Sequence, residues 1–222
     1  MLFLAVFCGF LAENIRERSV ERHREKQFIQ SYIEDLKTDT ATIWRVLIFR
    51  KQKEERMDSL MMLLGNSQIK GHENELYFFG RTLIRTSNFN PDDRTITQLK
   101  NSGSLRLIRN EEAADSMMSY QKLVETILGN QEDDRIERRN ADPLLSRMFN
   151  AFVFDKMVTI DGIHRPEGNP PLRSYDQDFQ QDLAYYIHQI KGSNFIIQSR
   201  LKILYKKATD LIELLQKEYH LK

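Results

Sequence analysis

Apolar residues fill the first twelve positions, MLFLAVFCGFLA, and the next fourteen, ENIRERSVERHREK, are mostly charged. From Asn14 no helix breaker occurs until Gly65. Within that stretch Ile29, Ile33, Leu36, Thr40, Ile43 and Leu47 recur at alternating steps of four and three. This 3.5-residue period is the seam of a helix that packs along its length. Met57, Met61 and Leu64 resume it after the charged stretch RKQKEER interrupts it. The spacing predicts one helix of about 50 residues, about 75 Å long, stopping at Gly65-Asn66. The end of the chain mirrors it: Ile197, Leu201, Leu204, Ala208, Leu211 and Leu215 keep the same rhythm. Gly192-Ser193 reads as the start of that last helix, with Ser193 as N-cap. Two seams of matching period near the two ends of the chain invite pairing.

Shorter helices fill the middle. His72 to Arg85 carries Leu76, Phe79 and Leu83 on one face. Asn90-Pro91-Asp92-Asp93 offers an N-cap, a first-turn proline and two acids at the positive end of a helix dipole. That helix carries Ile96 and Leu99 and stops at Ser102-Gly103. Asn110-Glu111-Glu112 starts the next, and Asp142-Pro143 starts another through Leu144, Met148 and Phe152. The segment DGIHRPEGNPPLRS, 161–174, is a loop, after which Ser174 and Gln177 form a capping box. The expected fold is all-α, an elongated helical bundle with long N- and C-terminal helices.

The opening run needs its own account. Twelve residues make a helix of about 18 Å, short of the about 30 Å of a bilayer core. A basic lead-in and an A-x-A cleavage pattern, the marks of a signal peptide, are missing. Two readings stand: the distal half of a transmembrane helix, or a hydrophobic end packed in the body or lying on a membrane surface. No polar residue breaks positions 2–12 to give them an amphipathic face, which favours the first. Residues 1–12 are therefore expected to be a membrane anchor, a partial transmembrane helix, and 13–222 a helical bundle domain.

Composition narrows the classes. Lys and Arg number 33 against 32 Asp and Glu, so a general nucleic-acid binder, which needs surplus positive charge, is not expected. The single cysteine, Cys8, lies in the apolar run; the body is left without thiols for disulfides or metal clusters.

The stretch TITQLKNSGSLRLIRNEE, 95–112, taken with the opening LAVFCGFLAENIRER and the later EDLKTDT, resembles a family of uncharacterised Bacteroidota proteins. Those have one N-terminal membrane helix followed by a helical domain. The family's entry segment maps to Asn14, Glu34, Asp35 and Leu36. Its corner segment maps to Gln98, Leu99, Lys100, Ser102, Gly103, Leu105, Leu107, Ile108 and Asn110. The resemblance implies a single-pass protein of the bacterial inner membrane with its body in the periplasm, and it brings no activity with it. A local reading of the corner is structural. Leu99 closes a helix, Gly103 permits a left-handed turn, Leu105, Leu107 and Ile108 cross the core, and Asn110 caps the next helix. A ligand site of Lys100, Ser102 and Arg106 is the functional alternative.

Chemistry is sparse. The chain has no G-x-S-x-G, no H-E-x-x-H and no phosphate loop, and Asp161-x-x-His164 falls in the loop. No catalytic residue, cofactor or metal is expected. Tyr77, Phe78 and Phe79, and likewise Tyr185 and Tyr186, exceed what one helix face buries, so Tyr77, Phe78, Tyr185 and Tyr186 are candidates for an interaction surface. The expected function is a membrane-anchored helical domain for protein–protein interaction or self-assembly, with the lipid bilayer and a second copy or a membrane protein as partners. The alternative is a periplasmic small-molecule sensor acting through a partner.

Overall fold

The computed structural model describes residues 2–66 and 69–221, with backbone alone for 2–5. Its helices are α1 (Leu2–Leu64), α2 (Glu73–Leu83), α3 (Arg94–Asn101), α4 (Glu111–Met148), α5 (Ala151–Lys156) and α6 (Gln177–Glu218). A 3-10 turn, Ser104–Leu107, follows α3. Strands β1 (Val158–Thr159) and β2 (Gly162–Ile163) pair antiparallel, Val158 opposite Ile163 and Thr159 opposite Gly162. The all-α bundle with long first and last helices is found, with this small hairpin at the start of the expected loop. The chain divides into two compact units. Unit 1 takes the chain up to Thr42, Asn90–Val124 and the residues from Ile203 on. Unit 2 takes Ile43–Phe89 and Glu125–Lys202.

The long helices bury a residue at every alternate step of three and four. On α1 the buried positions run Ile29, Tyr32, Leu36, Asp39, Ile43, Val46, Arg50, Lys53, Met57, Leu60, Leu64. The seam is thus unbroken. RKQKEER does not interrupt it: Arg50 and Lys53 occupy its next two positions, while Leu47 and Met61 are only half-buried. On α4 the same rhythm joins Ala113, Met117, Tyr120, Val124, Ile127, Gln131 and Asp134. On α6 it joins Leu183, Ile187, Ile190, Asn194, Ile197, Leu201, Leu204, Ala208, Leu211 and Leu215. The first and last seams do meet. Tyr219, just past the end of α6, donates to Glu25 of α1 in unit 1, and Asn194 exchanges hydrogen bonds with Arg50 in unit 2.

Two expected helix starts fall inside helices. Pro143 lies within α4, where a proline costs about 3 kcal/mol. Leu144, Leu145 and Met148 beyond it are buried in unit 2. Each gains roughly 1.5–3 kcal/mol by burial, which outweighs the break. Gly192 and Ser193 lie within α6. A mid-helix glycine costs only about 1 kcal/mol, and Ser193, inside the helix, caps no helix start. The start of α6 comes where expected, but its cap is Asp176, whose Oδ1 accepts from the Asp178 and Phe179 amides.

Met1, the first residue of the expected anchor, lies outside the described residues. Helix α1 is continuous through the apolar run, and Val6, Phe7, Phe10, Leu11 and Ile15 are exposed on it. Among the described residues no helix is long and apolar enough to cross a membrane.

Candidate functional site

The corner segment belongs to unit 1. Helix termini leave backbone amides without partners, and α3 fills this need from another helix. Asp35 Oδ2 accepts from the Thr95 amide at 2.9 Å, and its Oδ1 meets Arg94 at 3.0 Å. Asp39 Oδ1 accepts from the Asp92 amide at 2.7 Å. The expected N-cap Asn90 is exposed, and α3 begins at Arg94. Two carboxylates of α1 therefore hold the positive end of α3. Asp39 Oδ2 also accepts from Tyr120 Oη at 2.6 Å. Burial raises the Asp39 carboxyl to about 6, against the pull of Tyr120 and the Asp92 amide.

The rest of the corner is structural. Leu99 is fully buried and Ile108 nearly so, while Leu105 and Leu107 are half-buried. Gly103 turns with φ +67°, a conformation that a side chain would strain. Asn110 Oδ1 accepts from the Ala113 amide at 2.9 Å, the expected N-cap of α4. Buried Glu25 closes the corner, accepting from the Arg109 amide at 2.8 Å and from Tyr219 at 2.7 Å. Ser102 lines a shallow depression with Arg24, Gln27 and Phe28. Lys100 and Arg106 are exposed and do not line it.

Unit 2 holds a layer of charge inside its seams. Arg50 and Asp134 are both fully buried. Asp134 Oδ2 receives Arg138 Nε at 3.1 Å, with Arg50 at 3.8 Å. The Arg50 guanidinium also donates to Asn194 at 3.2 Å and Asn88 at 3.4 Å. Gln131 grips both backbone groups of Phe89. Lys53 is 4% exposed, and its Nζ has no hydrogen-bond partner among the described residues; Asp134 Oδ1 and Arg50 Nε share that condition. Burial pushes the Lys53 ammonium down to about 7; Asp134 opposes this, and Arg138 and Arg50 reinforce it.

That shift has a sign. Unfolded, the amine titrates near its ordinary 10.5, and folded near 7. Between these values the unfolded chain holds the proton and the folded chain does not, so this group makes stability rise with pH across that window. Below it the folded chain carries the charge at its full desolvation cost. Lys53→Met is therefore expected to stabilise the protein, most at acidic pH, and to flatten the rise above pH 7. Urea melts at several pH values check this; an unchanged slope would contradict it.

The aromatic candidates also lie in unit 2, and they separate. Tyr77, expected at a surface, is fully buried. Its hydroxyl donates to the Pro171 carbonyl at 2.9 Å and accepts from the Asn150 amide at 3.1 Å. Its ring meets Phe149 and Phe154 edge-on, at 5.2 and 5.6 Å. Phe78 is half-buried, with the Arg56 and Arg165 guanidiniums 5.4 and 5.2 Å from its ring, so cation–π contact covers it. Tyr185 is exposed, with half-buried Tyr186 edge-on at 5.4 Å.

Beside the Tyr77 cluster lies a cleft of about 580 Å³, a size typical of small-molecule sites. Its apolar lining includes Ile84, Leu145, Phe149, Phe154 and Val158, and Arg81, Arg85 and Arg173 stand with Asp142 and Asp155 among its polar residues. Gly80 also lines it; a Cβ there would sit 2.7 Å from the Phe149 ring. Sequence reasoning missed this site because α2, α4 and α5 each contribute only a few residues to it. The missed signal was the Arg81/Arg85 pair, one turn apart.

His164 Nε2 contacts the Thr159 hydroxyl at 2.9 Å within the hairpin. Among the described residues no three His, Cys, Asp or Glu side chains gather as a metal would require. Comparison with known proteins finds no matching family model, no matching curated protein and no matching solved structure.

Proposed function

We propose that this protein is a helical domain held at a membrane by the start of α1, its body engaged in protein–protein contact or self-assembly. The exposure of Val6, Phe7, Phe10, Leu11 and Ile15 along one helix supports this most. Contiguous apolar surface of that kind marks an interaction site. Positions 2–12 would fill about 17 Å of the about 30 Å bilayer core, the length of a partial transmembrane helix. Arg16, Arg18, Arg22 and Arg24 follow where anionic headgroups would lie. Further along α1, exposed Trp44 and Ile48 offer apolar surface to a protein partner. A periplasmic body at the bacterial inner membrane rests on the family resemblance alone.

Flotation with vesicles of phosphatidylethanolamine and phosphatidylglycerol tests the reading. The full chain is expected to float with the lipid. Val6→Asp combined with Phe10→Asp is expected to weaken partition at least ~100-fold, since each buried Asp costs about 2.5–3.5 kcal/mol in a bilayer. A wild-type chain that stays in the aqueous fraction overturns it.

In a second reading the domain senses a small molecule and acts through a partner protein. The cleft beside Tyr77 favours it.

A further inference from the structure

The geometry points to a compact anionic amphiphile, a single carboxylate on an apolar chain, as the ligand of the unit 2 cleft. This rests on reading the cleft as a ligand site, and it names what that site would hold.

The argument starts with the cations. Arg81 stands near the C-terminal end of α2, and Arg85 follows one turn later. Arg81 is half-buried, its guanidinium 5.9 Å from the Phe154 ring. Among the described residues neither arginine forms an ion pair within the chain, whereas Arg173 donates to the Ser146 carbonyl at 2.9 Å. Burial, then the nearby charge of Arg85, pushes Arg81 below its ordinary value, and Asp142 offsets this only in part. Two guanidiniums brought together repel, and an anion between them removes that repulsion while accepting charge-assisted hydrogen bonds.

The floor of the cleft supplies the other half of the ligand. Phe149 and Leu145 are buried beneath it, and Phe154 and Ile84 are half-buried at its wall. Gly80 lets the Phe149 ring pack directly against α2, because a side chain there would collide with it. An apolar floor under a cationic rim selects a molecule with hydrocarbon at one end and a negative charge at the other. Asp142 and Asp155 are exposed at the mouth and disfavour a multiply charged anion, so one negative charge is the match.

Sodium decanoate, below its micelle concentration, is the probe, with decanol and acetate as comparisons. Calorimetry on the full chain is expected to show decanoate binding at least 10-fold tighter than decanol and far tighter than acetate. Backbone amide shifts should concentrate in residues 80–85 and 142–158. Arg81→Gln and, separately, exposed Arg85→Gln should each weaken decanoate about 10-fold, the worth of a hydrogen bond to a charged group, and leave decanol binding unchanged. Arg85→Gln keeps the test open if Arg81→Gln unfolds. Decanol binding as tightly as decanoate, or arginine variants that bind decanoate normally, would overturn the anionic assignment and leave the cleft as an apolar site. No shift at these residues with any probe would overturn the cleft as a ligand site as well.

Discussion

Replacing Asp134 with alanine is expected to lower the unfolding free energy by about 3–5 kcal/mol, the usual loss when one member of a buried charge pair is removed. Asp134 is fully buried, hydrogen-bonded by Arg138 and close to Arg50, itself fully buried. Without the carboxylate, Arg50 keeps only Asn194 and Asn88, neutral amides, as hydrogen-bond partners. A chemical denaturation curve measures the loss. The same physics predicts the reverse for a larger change. Arg50→Met with Asp134→Leu removes both charges and fills the space with apolar side chains, an exchange that is often neutral or favourable. The double variant should melt well above Asp134→Ala. If the two variants melt together, the deficit comes from lost volume and not from stranded charge.

Phe149→Ala is the second large effect, also about 3–5 kcal/mol, the range for emptying a buried aromatic site. The ring is 1% exposed and touches the Tyr77 and Phe154 rings at centroid distances of 5.2 and 5.1 Å. It also fills the place that a side chain on residue 80 would occupy. Gly80→Ala in the native background should therefore destabilise, since overpacking costs about 1–3 kcal/mol against about 1 kcal/mol of helix propensity gained. In the Phe149→Ala background the collision is gone, and Gly80→Ala should stabilise by up to about 1 kcal/mol. That reversal of sign, read by a double-mutant cycle, is the decisive measurement. Additive effects would mean that the ring does not depend on glycine for its place.

What could be read in advance, and what could not, divides along one physical line. The long helices showed in the spacing of Ile29, Ile33, Leu36 and Ile43, and of Ile197 to Leu215, because apolar side chains report burial directly. The polar members of the same seams did not show. Arg50 and Lys53 fall on the three-four steps between Val46 and Met57, but a charged residue reads as exposed until its partner is known. Asp134 is distant in the chain and carries no local mark. Counting steps without regard to polarity would have found them. Local stop and start signals misled where tertiary contact outweighed them, at Pro143 and Gly192. The cap of α3 was legible in kind and not in source: the acids at its start are real, and the carboxylates that serve it come from Asp35 and Asp39 of another helix. The cleft left one local mark, the Arg81/Arg85 pair, since its other walls converge only in three dimensions.

The charge layer of unit 2 bears on more than stability. Helices with an evenly repeating apolar seam can slide past one another by a heptad and still cover their greasy faces, so such a repeat leaves the alignment of its strands undecided. A single polar position is a known remedy in coiled coils. Here a slip of seven residues along α4 would carry Asp134, with Arg138 beside it on the same helix, away from Arg50 and leave the Arg50 guanidinium without its buried carboxylate. By this reasoning the Arg50–Asp134 pair acts as a register pin, so that of the many offsets these sequences could accept, one is favoured over the rest.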